Sequence, residues 1–99
     1  MIQIRKVDGK IRVIYKDYTL WFDDLERMFN FFDYTGCKNK INWQIDSRKF
    51  WYSHNKDLNK IYLVDLLYKI TPETHEITFK NKNNNDYTKE NIEFKKKTI

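Results

Sequence analysis

The scarcity of glycine constrains this chain more than any other feature. Its ninety-nine residues include two glycines and one proline. Backbone with φ > 0 is accessible to glycine at no steric cost and is expensive for most other residues. Reversals of the chain must therefore be made by residues other than glycine. Asparagine and aspartate are the usual substitutes, because their short polar side chains bond nearby backbone and tolerate the left-handed region. The chain is rich in asparagine, and the run from Asn81 to Asn85 reads as a turn or loop. The expectation is a fold with few tight hairpins, turned by Asn and Asp.

One hairpin signal does use glycine. Asp8-Gly9-Lys10 joins the alternating segment 2–7 (IQIRKV) to the segment 11–15 (IRVIY). Residues 19–34 then follow helical spacing. Leu25, Met28, Phe29 and Phe32 fall at i, i+3, i+4 and i+7, which predicts one apolar stripe facing the core. Asp23, Asp24 and Glu26 suit the positive end of that helix, and Gly36 suits its C-cap. Segments 41–46 (INWQID) and 49–53 (KFWYS) read as a second hairpin, turned at Asp46-Ser47-Arg48, with a polar loop at 55–60. In 61–70 (IYLVDLLYKI), Ile61-Tyr62 reads as a strand entering a helix whose face is Leu63, Leu66, Leu67 and Ile70. Thr71-Pro72 ends that helix. Ile77-Thr78-Phe79 returns as a strand. After the Asn run a short helix is expected, capped by Asp86 or Thr88. The basic tail 95–99, with Lys95-Lys96-Lys97, is expected to fray. The fold class is α+β: a small single domain over 1–94, with an N-terminal β-hairpin, an amphipathic helix, a second β-hairpin and a C-terminal ββα-like unit.

A hydrophobic content of 40%, with 17% aromatics, places the chain among folded proteins, since such side chains bury large areas. The single cysteine, Cys37, cannot form an intrachain disulfide, which points to a reducing compartment. No N-terminal apolar h-region and no bilayer-length apolar run is present. An intracellular protein, in cytoplasm or nucleus, neither secreted nor membrane-bound, is expected. The net charge of +5 is uneven. Basic and acidic residues cancel over 1–37. Over 38–70, seven basic residues (Lys38, Lys40, Arg48, Lys49, Lys56, Lys60, Lys69) oppose three acidic ones (Asp46, Asp57, Asp65). Such a segment attracts polyanions.

Catalytic and metal patterns are weak. His54 and His75 have no cysteine or carboxylate at ligand spacing, so no metal or cofactor is expected. Cys37 has no visible partner base. Neither glycine belongs to a phosphate-cradling loop. The segment from Arg48 to His54 is the better candidate, because basic groups beside alternating aromatics bind phosphates and stack on bases. Alternation places Phe50 and Tyr52 on one face and Lys49, Trp51 and Ser53 on the other. One set belongs to the core, and the other offers a contact surface.

The C-terminal third resembles HNH homing-type endonuclease modules. Tyr62-Leu63-Val64-Asp65-Leu66-Leu67 is similar to the family's strand-and-helix entry. Asp86-Tyr87-Thr88-Lys89-Glu90-Asn91-Ile92 is similar to its D-N-R-x-E-N-L segment, and Asn83 stands where such turns carry Asn. The likeness covers about residues 60–94. It departs at the chemistry: Phe79 stands at the position of the metal-activating histidine, Thr78 at its neighbouring aspartate, and Tyr87 at the middle asparagine. Hydrolysis of a phosphodiester needs a base and a cation, and phenylalanine supplies neither. The resemblance therefore implies a degenerate module without nuclease chemistry, of the kind seen in large DNA viruses and phages. The A/T-rich codon bias of the composition suits such a source. The expected function is non-catalytic nucleic-acid binding, to duplex DNA through its phosphates. Lys38, Lys40, Arg48, Lys49, Trp51, Lys80, Lys82 and Lys89 are the expected contacts, with Asn83 and Asn91 shaping the turn. Two other readings stand beside it. One is a protein-interaction or homo-oligomerisation module with aromatic anchors. The other is an active metal-dependent nuclease, against which Phe79 argues.

Overall fold

A computed structural model of the chain describes residues 2–33, 43–54 and 59–98. The Asp8-Gly9 hairpin forms as expected, with both turn residues left-handed at φ 51° and 79°. It grows into a three-stranded antiparallel meander of β1 (Gln3–Val7), β2 (Lys10–Tyr15) and β3 (Tyr18–Phe22), in the order β1-β2-β3. The third strand corrects the helix expected from residue 19. A two-residue turn at Lys16-Asp17 pairs Tyr15 with Tyr18, Val13 with Leu20 and Ile11 with Phe22. That register places Leu20 and Phe22 on the buried face of the sheet. The alternation of YTLWF, hidden beside a helical pattern, decides the state once a partner strand is available.

Helix α1 (Leu25–Asp33) starts at Asp24, whose Oδ1 accepts a hydrogen bond from the Arg27 N–H at 2.7 Å. Its buried positions are Met28 and Phe31. Leu25 and Phe29, expected in the core stripe, are 57% and 51% exposed. The helix meets an aromatic wall instead of an aliphatic one. Phe31 stacks on Trp43 at 5.1 Å and meets Tyr15 edge-on at 5.3 Å. The expected cap at Gly36 and the Cys37 thiol lie outside the described residues.

The second hairpin is also three-stranded: β4 (Gln44–Ile45), β5 (Trp51–His54) and β6 (Lys60–Tyr62), in the order β4-β5-β6. Helix α2 (Leu63–Tyr68) follows β6 without a break and buries Leu63 and Leu67 as expected, with Val64 buried in place of the expected Leu66, which is only half-buried. It ends on Lys69 at φ 59°. A last antiparallel pair follows, β7 (His75–Phe79) with β8 (Ile92–Lys96). Here the ββα expectation is corrected, because the segment read as a helix after the Asn run is turn and strand. Ile92 pairs with Phe79 and Phe94 with Ile77. A helix there would leave the β7 backbone without these partners. The tail is held rather than frayed: the Lys97 N–H donates to Thr74 O at 3.0 Å and its Nζ to Pro72 O at 2.7 Å.

One core cluster draws side chains from all three sheets and both helices. No helix among the described residues is long and apolar enough to cross a membrane. The turn expectation fails in an informative way. The described non-glycine residues with φ > 0 are Asp8, Lys16, Lys49, Lys69 and Lys82. Lysine, not asparagine, takes most of the left-handed positions. The asparagines act from outside the strained residue, by accepting backbone N–H groups.

Lys69 is an exposed left-handed C-cap, where glycine relieves the Cβ conflict. Lys69→Gly is expected to raise stability by about 0.5–1 kcal/mol, read as a higher urea midpoint with an unchanged slope.

Candidate nucleic-acid interface

Asn81, Asp86, Thr88 and Asn91 build one polar clamp. Asp86 is its hub and is buried. Its Oδ1 accepts from the Thr88 N–H at 3.1 Å and the Thr88 hydroxyl at 2.6 Å, and its Oδ2 from Asn81 Nδ2 at 2.9 Å. Asn91, also buried, closes the loop. Its Oδ1 accepts from the Asn81 N–H and its Nδ2 donates to Asp86 O, both at 2.9 Å. Asn81 and Asn83 each accept the N–H two residues on, at 2.8 and 3.0 Å. These are Asx turns in series. Asn85 Oδ1 accepts from Trp51 Nε1 at 2.8 Å, which ties the loop to β5. Asn91 is thus structural, and Asn83 shapes an exposed turn as expected.

The same loop docks on the edge of β3. The Trp21 N–H donates to Asn85 O at 2.9 Å, and the Tyr87 N–H donates to Trp21 O at 2.8 Å. Tyr87 is fully buried, stacked on Phe22 at 6.2 Å and edge-on to Phe79 at 5.5 Å. Phe79 is buried there, at the position the resemblance gives to a histidine. Among the described residues, no group of three or more His, Cys, Asp or Glu side chains is placed to hold a metal ion.

Two tyrosines respond to this packing. Burial, with the nearby Asp23 charge and against Arg27, pushes the Tyr68 phenol from 10.0 up to about 12. Its hydroxyl donates to Tyr87 O at 2.6 Å. Burial also raises the Tyr87 phenol, whose hydroxyl lies near the Trp51 backbone without making a hydrogen bond.

The cationic residues sort into distinct settings. Lys38 and Lys40 lie outside the described residues. Trp51 is 1% exposed, so it is core and cannot serve as a contact. This corrects its place in the expected interface: the face of β5 that carries Trp51 and Ser53 is the inward one. Arg48 is exposed but engaged. Its guanidinium bonds Tyr62 Oη at 2.7 Å and Glu73 at 3.2 Å, and lies over the Phe50 and Tyr62 rings. Partial burial pushes the Glu73 carboxyl up, but hydrogen bonds from Tyr62 and Arg48 outweigh it and hold the carboxyl below its ordinary value. Lys89 donates its backbone N–H to Asp23 and lines a groove with Asp8, Lys10, Asp23 and Glu90, where three carboxylates face two ammonium groups.

Lys49, Lys80 and Lys82 differ from these. All three are exposed and take no ion pair among the described residues. Lys49 closes the 46–50 turn, in which its N–H donates to Asp46 O and the Asp46 N–H donates to Phe50 O, both at 3.0 Å. Lys82 closes the turn after β7, donating to Phe79 O at 2.9 Å. In each turn the lysine holds the left-handed position, at φ 71° and 64°. Glycine usually occupies it. Phe50 meets Phe79 at 6.1 Å, so the two turns flank one ring contact.

A second basic surface was not legible as such in the sequence. The β1–β2 register sets Arg5 opposite Arg12, and the β2–β3 register sets Arg12 opposite Trp21. All three lie on the face away from the core. The alternation around Asp8-Gly9 contains half of this row, and the unread strand β3 supplies the rest. Comparison with protein-family models, with curated proteins and with solved structures finds no match to this chain.

Two outcomes test this geometry. Asp86→Ala removes the acceptor of three donors and is expected to cost about 2–3 kcal/mol, whereas Tyr87→Phe deletes an unsatisfied hydroxyl and should match or exceed the parent. Urea unfolding of both variants checks the contrast. The phenols give a pH dependence. Their folded pKa values lie above the unfolded one, so their contribution is complete below about pH 10 and declines as pH rises toward about 12, because the unfolded chain then binds fewer protons. The urea midpoint should fall over that window, and less so in Tyr68→Phe.

Proposed function

We propose that this chain is a non-catalytic nucleic-acid-binding module that grips the phosphates of duplex DNA. The observation that carries the reading is the placement of Lys49 and Lys82 in two turns flanking the Phe50–Phe79 contact, with the exposed Lys80 next to Phe79 in sequence. Left-handed φ on a lysine costs on the order of 1–3 kcal/mol, and such strain concentrates where a side chain is wanted in a particular direction. Mobile ammonium groups without carboxylate partners suit phosphate contacts, which position a protein without reading sequence. Arg48 contributes as a strut that braces the first turn against Glu73. On this reading the chain is a degenerate HNH-like module of an intracellular, viral type. Phe79, in place of a base, leaves the strand-and-turn frame without scission chemistry.

A different observation favours a second reading, an interaction or homo-oligomerisation module. Leu25 and Phe29 lie one helical turn apart and are both more than half exposed, and Leu25 shares a groove with Ile4. Large apolar side chains exposed together mark interfaces. A light-scattering mass that falls to the monomer value in Leu25→Asp and Phe29→Asp would support it.

Salt tests the leading reading. Three phosphate contacts predict a loss of affinity of about 40-fold between roughly 50 and roughly 200 mM salt. Duplex binding by fluorescence anisotropy should show that slope in the parent and lose it in the Lys49→Glu, Lys80→Glu, Lys82→Glu triple variant. Lys89→Glu should change little. Affinity that does not respond to salt removes the proposal.

A further inference from the structure

The solvent face of the N-terminal sheet carries a row built across three strands. Arg5 on β1 stands directly opposite Arg12 on β2, and Arg12 directly opposite Trp21 on β3. Directly opposed side chains on an antiparallel pair have their Cβ atoms about 5 Å apart, and like charges there repel. Neither arginine has an ion pair or hydrogen bond among the described residues, so nothing in the described fold relieves that repulsion. Glu90 is committed to Lys10, and Asp8 and Asp86 line a groove with Lys10 and Trp21. Arg5 is exposed and Arg12 half-buried by its neighbours along the strand.

Trp21 completes the arrangement. Its backbone is fixed on both sides, by β2 and by the docked Asn85–Tyr87 segment. Its side chain is half-exposed and meets no other aromatic ring among the described residues. Trp43 and Trp51, by contrast, are 0% and 1% exposed. A rigid sheet thus presents two guanidinium groups that lack an anion and one indole face that lacks a partner, on adjacent strands.

We infer that this face binds single-stranded nucleic acid, with Arg5 and Arg12 clamping one backbone phosphate and Trp21 stacking on an adjacent base. Guanidinium forks match phosphate oxygens in bidentate geometry. Base–aromatic stacking beside a basic track is the general mode of single-strand recognition and needs an unpaired base. An acidic peptide would satisfy the arginines but not the indole. The site is separate from the Lys49–Lys82 turns and does not depend on the duplex reading.

The test is a titration of the full chain with oligothymidylate of about eight nucleotides, a length within the usual single-strand site size. Because the other two tryptophans are buried, intrinsic fluorescence reports Trp21. The expected result is saturable quenching. It is weakened at least tenfold in Arg5→Glu and in Arg12→Glu, and it is absent in Trp21→Phe. Arg12→Glu replaces a repulsive pair by an attractive one, so its thermal midpoint should equal or exceed the parent's, which separates loss of binding from loss of fold. Lys95→Glu and Lys96→Glu, exposed on β8, should leave the quenching curve within twofold. Three results would overturn the inference: no quenching, equal quenching by a hairpin duplex at the same phosphate concentration, or polyglutamate of similar length binding as tightly.

Discussion

Two backbone hydrogen bonds at Trp21 tie the N-terminal sheet to the C-terminal loop beside the shared core. The N–H and C=O of that residue point out of the N-terminal sheet, and the Asn-rich loop fills both. Without the loop, β3 would be an open edge and Tyr87 would lose its place between Phe22 and Phe79. The sheet, the second hairpin and the last strand pair meet around that ring. The Asn85–Trp51 hydrogen bond adds the third anchor. A loop of this length would ordinarily be the softest part of a small domain. Here Asx turns in series and the Asp86 hub make it a structural keystone, because side-chain oxygens of Asn81, Asn83, Asp86 and Asn91 satisfy backbone donors within the loop.

The clamp leaves the Asp86, Thr88 and Asn91 side chains of the 86–91 segment committed to backbone and to one another. Their chemistry is spent on shape. Retaining such residues preserves a strand, a turn and a strand in fixed relation, whatever occupies the position of Phe79. The loop so built sets the Lys80 and Lys82 side chains on the surface.

Much of the fold was legible where sequence and tertiary context agree. Asp8-Gly9 fixed a hairpin because its turn geometry is local. The step from Ile61-Tyr62 into a helix over Leu63, Leu67 and Ile70 was legible because both periods are present in ten residues. Two errors share one cause. Residues 18–22 and 92–96 are strands whose states are decided by partners distant in sequence: β2 supplies the register for one, and β7 for the other. Helical spacing at Leu25 and Phe29 was real but pointed to solvent, since the wall that α1 meets is aromatic and favours Phe31. The candidate site was half legible. Lys49, Lys80 and Lys82 could be named from charge. Trp51 could not be assigned a face until Ser53 and the core were placed. The Arg5–Arg12–Trp21 row needs the full register of the meander.

Among the described residues, the loop bonded at Trp21 covers the β3 side of the N-terminal sheet and leaves the border along β1 unpaired, where Arg5 and Lys6 stand exposed. Strand addition can happen there once. A fibril propagates only if every newcomer brings a fresh border for the next. In this sheet a second copy joined through β1 would consume the last vacancy of both. Growth through this sheet would then stop at two.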